Sequence, residues 1–207
     1  MSSKADKKLV LGLVGGIGAG KTAVSEILED AGCVVSHSDR VSHEVMKSAE
    51  VRDQICEWWG DEVLDREGML DRTAIAAKVF SNTDGLKRLE GLLHPIINDA
   101  RIRHFQANPD ARAYVIDAPL LIETGLDAEC DAVIMVDSAR EDRLKRVAAR
   151  GWSAEELDKR QALQLPLDQK RIRADHVLIN DGSEAALRTR TFDLLEQLAP
   201  RTDEERR

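Results

Sequence analysis

Eight consecutive residues, Gly15-Gly16-Ile17-Gly18-Ala19-Gly20-Lys21-Thr22, satisfy the pattern GxxxxGK[ST], with Gly15 and Gly20 at its invariant ends. Side chains at the glycine positions would keep the backbone from wrapping a phosphate or forbid a positive φ, so bare backbone N–H groups and a following helix N-terminus make an anion nest. Lys21 then sets a point charge on the β- and γ-phosphates, and the Thr22 hydroxyl is placed to ligate Mg²⁺. Three further groups are candidates for chemistry. Asp39, just after a short apolar run, is able to accept a proton from an attacking hydroxyl or hold Mg²⁺ through water, and is read equally well as the N-cap of the next helix. Asp117 closes another apolar run downstream of the glycine loop, a position suited to Mg²⁺ or a substrate hydroxyl. Arg143, Arg146 and Arg150 fall within about 60° of one another on an ideal helix, a face that would clamp a multiply charged phosphate and act as a lid. The plainer reading of that face is a solvated helix with i,i+4 pairs.

The elements needed to position these groups are legible in the apolar pattern. Leu9–Val14 reads as a strand buried on both faces, and Val24, Ile27, Leu28 and Ala31 recur at helical spacing up to Gly32, so strand, loop and helix follow in the order a P-loop requires. Further strands are predicted at Cys33–Ser36, Tyr114–Asp117, Asp131–Asp137 and His176–Asn180. Strands alternating with helices imply right-handed crossovers and a mostly parallel sheet, so the expected class is α/β. From Glu50 to about Asn108 strand signals vanish and helical periodicity takes over. Trp58 and Trp59 are expected to pack a small helical core, and His94-Pro95 predicts a kink or a helix boundary. Leu187, Thr191, Leu194, Leu195 and Leu198 predict a closing helix, followed by a charged tail from Pro200 to Arg207 that is expected to fray.

Composition narrows the function classes. The chain of 207 residues carries a net charge of −8, no apolar stretch near the ~20 residues of a membrane span, and an N-terminus too broken by glycine for a secretory signal. Three cysteines, Cys33, Cys56 and Cys130, with no CxxC pair, point to free thiols in a reducing compartment, hence the cytoplasm. The acidity hides an asymmetry. Residues 140–173 hold ten Lys/Arg against six Asp/Glu, a net of +4 that leaves −12 for the remainder. That balance gives no electrostatic basis for general nucleic-acid binding, but suits phosphorylated small molecules held at one basic site. No feature sets an oligomeric state.

Taken in order, the loop Gly15–Thr22, Asp39, Leu93-His94-Pro95, Asp117-Ala118-Pro119-Leu120-Leu121-Ile122-Glu123, the spaced Arg146 and Arg150, Gln164, and Ala174-Asp175 leading to Asn180 resemble the dephospho-CoA kinase family from Leu9 to Leu198. The resemblance implies a P-loop kinase using ATP and Mg²⁺ to phosphorylate the ribose 3′-hydroxyl of dephospho-CoA, the last step of coenzyme A synthesis. It implies Asp39 as base, with Lys21, Arg146 and Arg150 neutralising developing charge. Gly16, Ile17, Gly18, Ala19, Gly20, Lys21, Thr22 and Asn180 would bind ATP, and Asp39, His94, Asp117, Leu120 and Glu123 the acceptor. It also implies a core of residues 9–49, 110–138 and 174–200, a helical CoA domain at 50–109 and a lid at 139–173, with neither nucleic acid nor membrane as partner. One departure stands out: His37-Ser38-Asp39 replaces the family's usual Asp-Ala-Asp, so where the first acid helps hold Mg²⁺ this chain is expected to hold it more weakly. Two other classes compete. One is another nucleoside or nucleotide monophosphate kinase. The other is a GTPase switch, since Asp65-Arg66-Glu67-Gly68 satisfies DxxG; it lies in the helical stretch instead of after a core strand, and no NKxD occurs anywhere.

Overall fold

Leu11, Leu13 and Val14 have no exposed surface, because β1 (Val10–Gly15) is the middle strand of its sheet and is covered on both faces. The computed structural model describes residues 8–80 and 82–199. The other strands are β2 (Val34–His37), β3 (Tyr114–Asp117), β4 (Ala132–Asp137) and β5 (His176–Ile179), in the order β2-β3-β1-β4-β5. β1 pairs in parallel with β3 (Val10 opposite Tyr114) and with β4 (Leu11 opposite Ala132), and β4 pairs in parallel with β5. All five strands predicted from the apolar runs are present. The chain leaves β1 toward the β2 side and leaves β3 toward the β4 side, so the adjacent carboxyl ends of β1 and β3 form a topological switch point, where open α/β sheets bind ligands.

The helices, in chain order, are α1 (Lys21–Asp30), α2 (Ser38–Val45), α3 (Ala49–Trp59), α4 (Arg72–Phe80), α5 (Thr83–Gln106), α6 (Arg140–Ala148), α7 (Ala154–Gln161), α8 (Leu167–Arg173) and α9 (Glu184–Leu198). The chain divides into two compact units, one built from the chain up to Ser36 and from Asn108 onward, the other from His37–Ala107. In the first, α1 turns Val24, Ile27 and Leu28 onto Leu11, Leu13, Val35 and Val115 of the sheet, and α9 adds Leu187 and Leu195 beside it. These are the faces predicted from 3.6-residue periodicity. Residues 139–173, read from the sequence as a separate lid, fall within this unit.

The second unit is helical. Val45, Val51, Ile55, Val63, Ile75, Leu89 and Leu93 make its core, with Trp58 and Trp59 packed against it edge-to-face, 5.8 Å between centroids. Of the kink or boundary predicted at His94-Pro95, the boundary is absent, since α5 runs on through Pro95. Pro95 removes one backbone donor, but Leu89 and Leu93 anchor the helix to the core on one side and Phe105 is buried further along it. Asp65–Gly68 is a turn in which Asp65 Oδ1 accepts from Glu67 N–H and Met69 N–H, so its DxxG match belongs to a turn of the helical unit. The tail from Pro200 to Arg207 lies outside the described residues.

Candidate active site

β1 delivers the chain into the glycine loop at the switch point, and α1 carries it away. The loop closes on itself through Ala19 N–H donating to Gly16 O at 3.0 Å. Gly20 is the N-cap of α1 at φ 102°, a conformation that L side chains rarely adopt, and a Cβ there would collide with the Asn180 carboxamide. Gly18 has φ 78°, and a Cβ on it would lie 2.9 Å from the Arg143 carbonyl oxygen. No side chain caps α1, so an uncapped helix N-terminus faces the hollow of the loop, as phosphate binding requires. Gly16 through Thr22, predicted as the ATP-binding run, are thus brought into one loop and first helical turn.

Lys21 and Asp117 meet across the switch point. The Lys21 ammonium pairs with Asp117 Oδ1, and Ser25 Oγ, one turn along α1, donates to Asp117 Oδ2 at 3.2 Å. Asp117 is only 6% exposed, so its charge depends on these donors. Sequence reading named both ends of the pair but not Ser25, whose signal was a hydroxyl set among the buried positions of α1.

Arg146 behaves differently from an open lid residue. Its guanidinium donates to Gly18 O at 3.1 Å, Ala19 O at 3.3 Å, Asn180 O at 3.2 Å and Ser138 Oγ at 2.8 Å, bracing the loop from behind. The buried Asn180 adds a bond from Nδ2 to Ala19 O at 2.8 Å. Arg143 is also buried, its Nη1 on Gln161 Oε1 at 3.0 Å. Arg150 lies beyond the helix that carries them. α6 ends at Ala148, and Arg150 is exposed in the turn that follows, its N–H on Val147 O. The ideal-helix projection failed because the helix stops before reaching it.

The segment after β3 is held by a lysine that sequence reading passed over. Lys170, with no exposed surface, donates to Pro119 O at 2.9 Å and Gln164 Oε1 at 3.1 Å and pairs with Glu123 Oε1 at 3.0 Å. Glu123 Oε1 also accepts from Leu165 N–H at 2.8 Å. Burial pushes the Glu123 carboxyl up, but the bonds from Leu165 and Lys170 outweigh it and hold the group below its usual range. Leu120, in the same segment, is 41% exposed. Asp175 ties the end of the basic stretch to the sheet, exchanging bonds with Val133 through its N–H and its carboxylate.

In the helical unit, Asp39 is exposed in the first turn of α2, and the N-cap is His37, so the reading of Asp39 as the cap itself is corrected. A carboxylate in a first turn is favoured by the helix dipole and leaves its oxygens to solvent. His94 is exposed on α5. For Mg²⁺, no group of three or more His, Cys, Asp or Glu residues among the described residues makes a metal cage. The donors that exist, the exposed Thr22 hydroxyl and the Asp117 carboxylate, are hard oxygens, and suit a cation that keeps its waters and is shared with substrate phosphates.

A family model described as dephospho-CoA kinase matches residues 9–186. The dephospho-CoA kinase of Syntrophotalea carbinolica is 38% identical over 196 residues, covering 93% of this chain and 93% of its own. That of Anaeromyxobacter dehalogenans is 36% identical over 194 residues, covering 91% and 92%. A solved crystal structure from Thermus thermophilus superposes with a TM-score of 0.81 at 31% identity, covering 92% of this chain and 98% of that one. With a glycine loop at the switch point, Lys21 set against Asp117, and likeness running over nearly its whole length, the chain belongs to the dephospho-CoA kinase family.

Proposed function

We propose that this chain transfers the γ-phosphoryl group of ATP to the ribose 3′-hydroxyl of dephospho-CoA, giving coenzyme A and ADP. The observation that carries the reading is the Lys21–Asp117 pair beside an uncapped helix N-terminus: a cation and a buried acid held where phosphates and a hydroxyl would meet. When ATP enters, its phosphates take N–H groups that the loop and first turn of α1 leave open and draw Lys21 from Asp117, which frees that carboxylate for the acceptor. Asp39 receives the proton of the 3′-hydroxyl. The Thr22 hydroxyl, with the Asp117 carboxylate, would hold a Mg²⁺ brought in with ATP, which would supply charge neutralisation at the phosphates. Arg146 keeps the loop's amides aimed inward, and Arg150 brings its charge from the exposed turn. Phosphoryl transfer asks chiefly for such positioning and charge stabilisation.

The helical stretch 50–109 serves as the acceptor domain, with His94 contacting dephospho-CoA. In the segment after β3, Leu120 is free to touch the acceptor, while Glu123, occupied by Lys170 and Leu165, acts by holding that segment in shape. Residues 139–173 act as the lid. No described helix is long and apolar enough to cross a membrane, and three free thiols support a cytoplasmic setting. The test is direct: purified protein with ATP, Mg²⁺ and dephospho-CoA is expected to yield coenzyme A, read by mass. Turnover of AMP, dCMP or shikimate without turnover of dephospho-CoA overturns the reading, as does tight GTP binding with no transferase activity.

A further inference from the structure

A buried cation without an anion lies against the phosphate loop. Arg143 is 5% exposed, and no carboxylate among the described residues is within ion-pair reach of it. Its partner is a neutral oxygen, Gln161 Oε1 at 3.0 Å, and that same oxygen accepts from Ile17 N–H at a long 3.4 Å. Arg143 Nε and Gln161 Nε2 are both buried with no hydrogen-bond partner. A Cβ on Gly16 would come within 2.5 Å of Arg143 Nη1, so the guanidinium is packed against the loop backbone itself. Burial pulls the Arg143 pKa down and the Arg140 charge adds to this, while Asp137 and Asp158 oppose it. Native proteins rarely leave such groups half-satisfied, because each costs about 1–3 kcal/mol or more when charged. A buried guanidinium N–H and a stretched loop N–H that share one carboxamide oxygen, beside two buried donors left without a partner, describe a place shaped for a more highly charged acceptor.

We propose that Gln161 stands in for an oxygen of the terminal phosphate of a nucleoside triphosphate, and that Arg143 recognises that phosphate once the carboxamide moves off. The proposal deepens the kinase reading and rests on it. Ile17 N–H and Arg143 then exchange a neutral acceptor for an anionic one, and Arg143 Nε gains a partner within the same packing. A nucleoside diphosphate presents no group there, so Gln161 returns to its place after transfer. The pair therefore separates ATP from ADP, a distinction that the loop amides and Lys21 make weakly because they also hold the β-phosphate.

The experiment compares equilibrium binding of ATP and of ADP, each with Mg²⁺, to the full chain and to Arg143→Gln and Gln161→Glu. Arg143→Gln is expected to weaken ATP by about tenfold or more, the scale of one lost charge-assisted hydrogen bond, and ADP by less than about threefold. Gln161→Glu, which leaves Arg143 in place but gives it a permanent anion that also repels phosphate, is expected to show the same selective loss. Gln161→Leu removes the stand-in and should leave ATP binding as tight as in the parent or tighter. Equal changes for ATP and ADP, no change in either, or a loss of both in Gln161→Leu would mean that the pair merely packs the loop. If the parent binds ATP but does not convert dephospho-CoA, the acceptor assignment fails while the ATP-over-ADP split still tests this inference by itself.

Discussion

A lysine with no exposed surface has to be accounted for atom by atom, and Lys170 spends its three N–H bonds on Pro119 O, Gln164 Oε1 and Glu123 Oε1. Removing the cation leaves Glu123 charged in a half-closed site. Lys170→Met is therefore expected to cost about 3–5 kcal/mol in urea unfolding, and Lys170→Met with Glu123→Gln to recover part of it. Additive losses in the double variant would show that the two side chains do not act as a pair. The same site sets an acid limit. Because the folded Glu123 carboxyl lies below its ordinary 4.5, its contribution is complete above that value and is lost as pH falls through the folded pKa. Glu123→Gln should flatten the fall of melting temperature below about pH 4.5, and an unchanged acid limb would assign that fall to other groups. Asp39, exposed in its helical turn, carries no such structural load. Asp39→Asn should thus lower kcat by about a hundredfold or more while ATP binding stays intact, and a near-normal rate would remove Asp39 from the role of base.

At the scale of elements, what the sequence revealed and what it withheld divide by the range of the interaction. The five strands, α1 and α9 were legible because apolar runs and 3.6-residue periodicity are local, and the glycine loop because its conformational demand is local too. Lys170 was not, since nothing distinguishes it in the text from Arg171 or Arg173, which bond to Asp137 and Asp127 at the surface. Its burial is decided by Glu123 and Pro119, which come from a different part of the chain. Arg150 was misplaced because a helix end at Ala148 depends on Gly151, at φ 81°, and on Trp152 N–H returning to Val147 O, a turn that periodicity does not register. The boundary offered at Pro95, one of its two readings, failed for the opposite reason, a strong local signal overridden by packing at Leu89 and Leu93. That override has a measurable cost. Pro95→Ala restores a donor inside α5 and is expected to stabilise the helical unit by up to about 3 kcal/mol in urea. Unchanged stability would mean that α5 is already strain-free at Pro95.

Over the whole molecule, the net charge of −8 is a poor guide to partners, because cations are gathered in residues 140–173, and three of them, Arg143, Arg146 and Lys170, are turned inward toward Gln161, loop carbonyls and Glu123. Stability is gathered as well. Cys33 sits in the core between α1 and the sheet, and burial pushes its thiol up to about 11, with Arg112 and a bond from Ala113 only partly opposing. Alkylation of the native protein near pH 8 should therefore leave Cys33 unmodified and label it only as fast as the core opens, which peptide mass mapping reads. Rapid labelling of Cys33 in native buffer would place it in a locally open region instead.

The central strand has a further consequence, one of timing. Val10 finds its neighbour at Tyr114 and Leu11 at Ala132, with the entire helical unit inserted before either is made. On a ribosome adding about 5–20 residues per second, the phosphate loop therefore emerges roughly 5–20 seconds before the strands that shape it. During that interval Leu11, Leu13 and Val14 are an unpaired apolar edge, while the helical unit, whose contacts are closer in sequence, is able to fold and shorten the loop that the sheet must later close. The element that holds the chemistry is thus synthesised well before its neighbours and among the last to be completed, and a nascent chain stalled before Tyr114 leaves β1 without either partner strand.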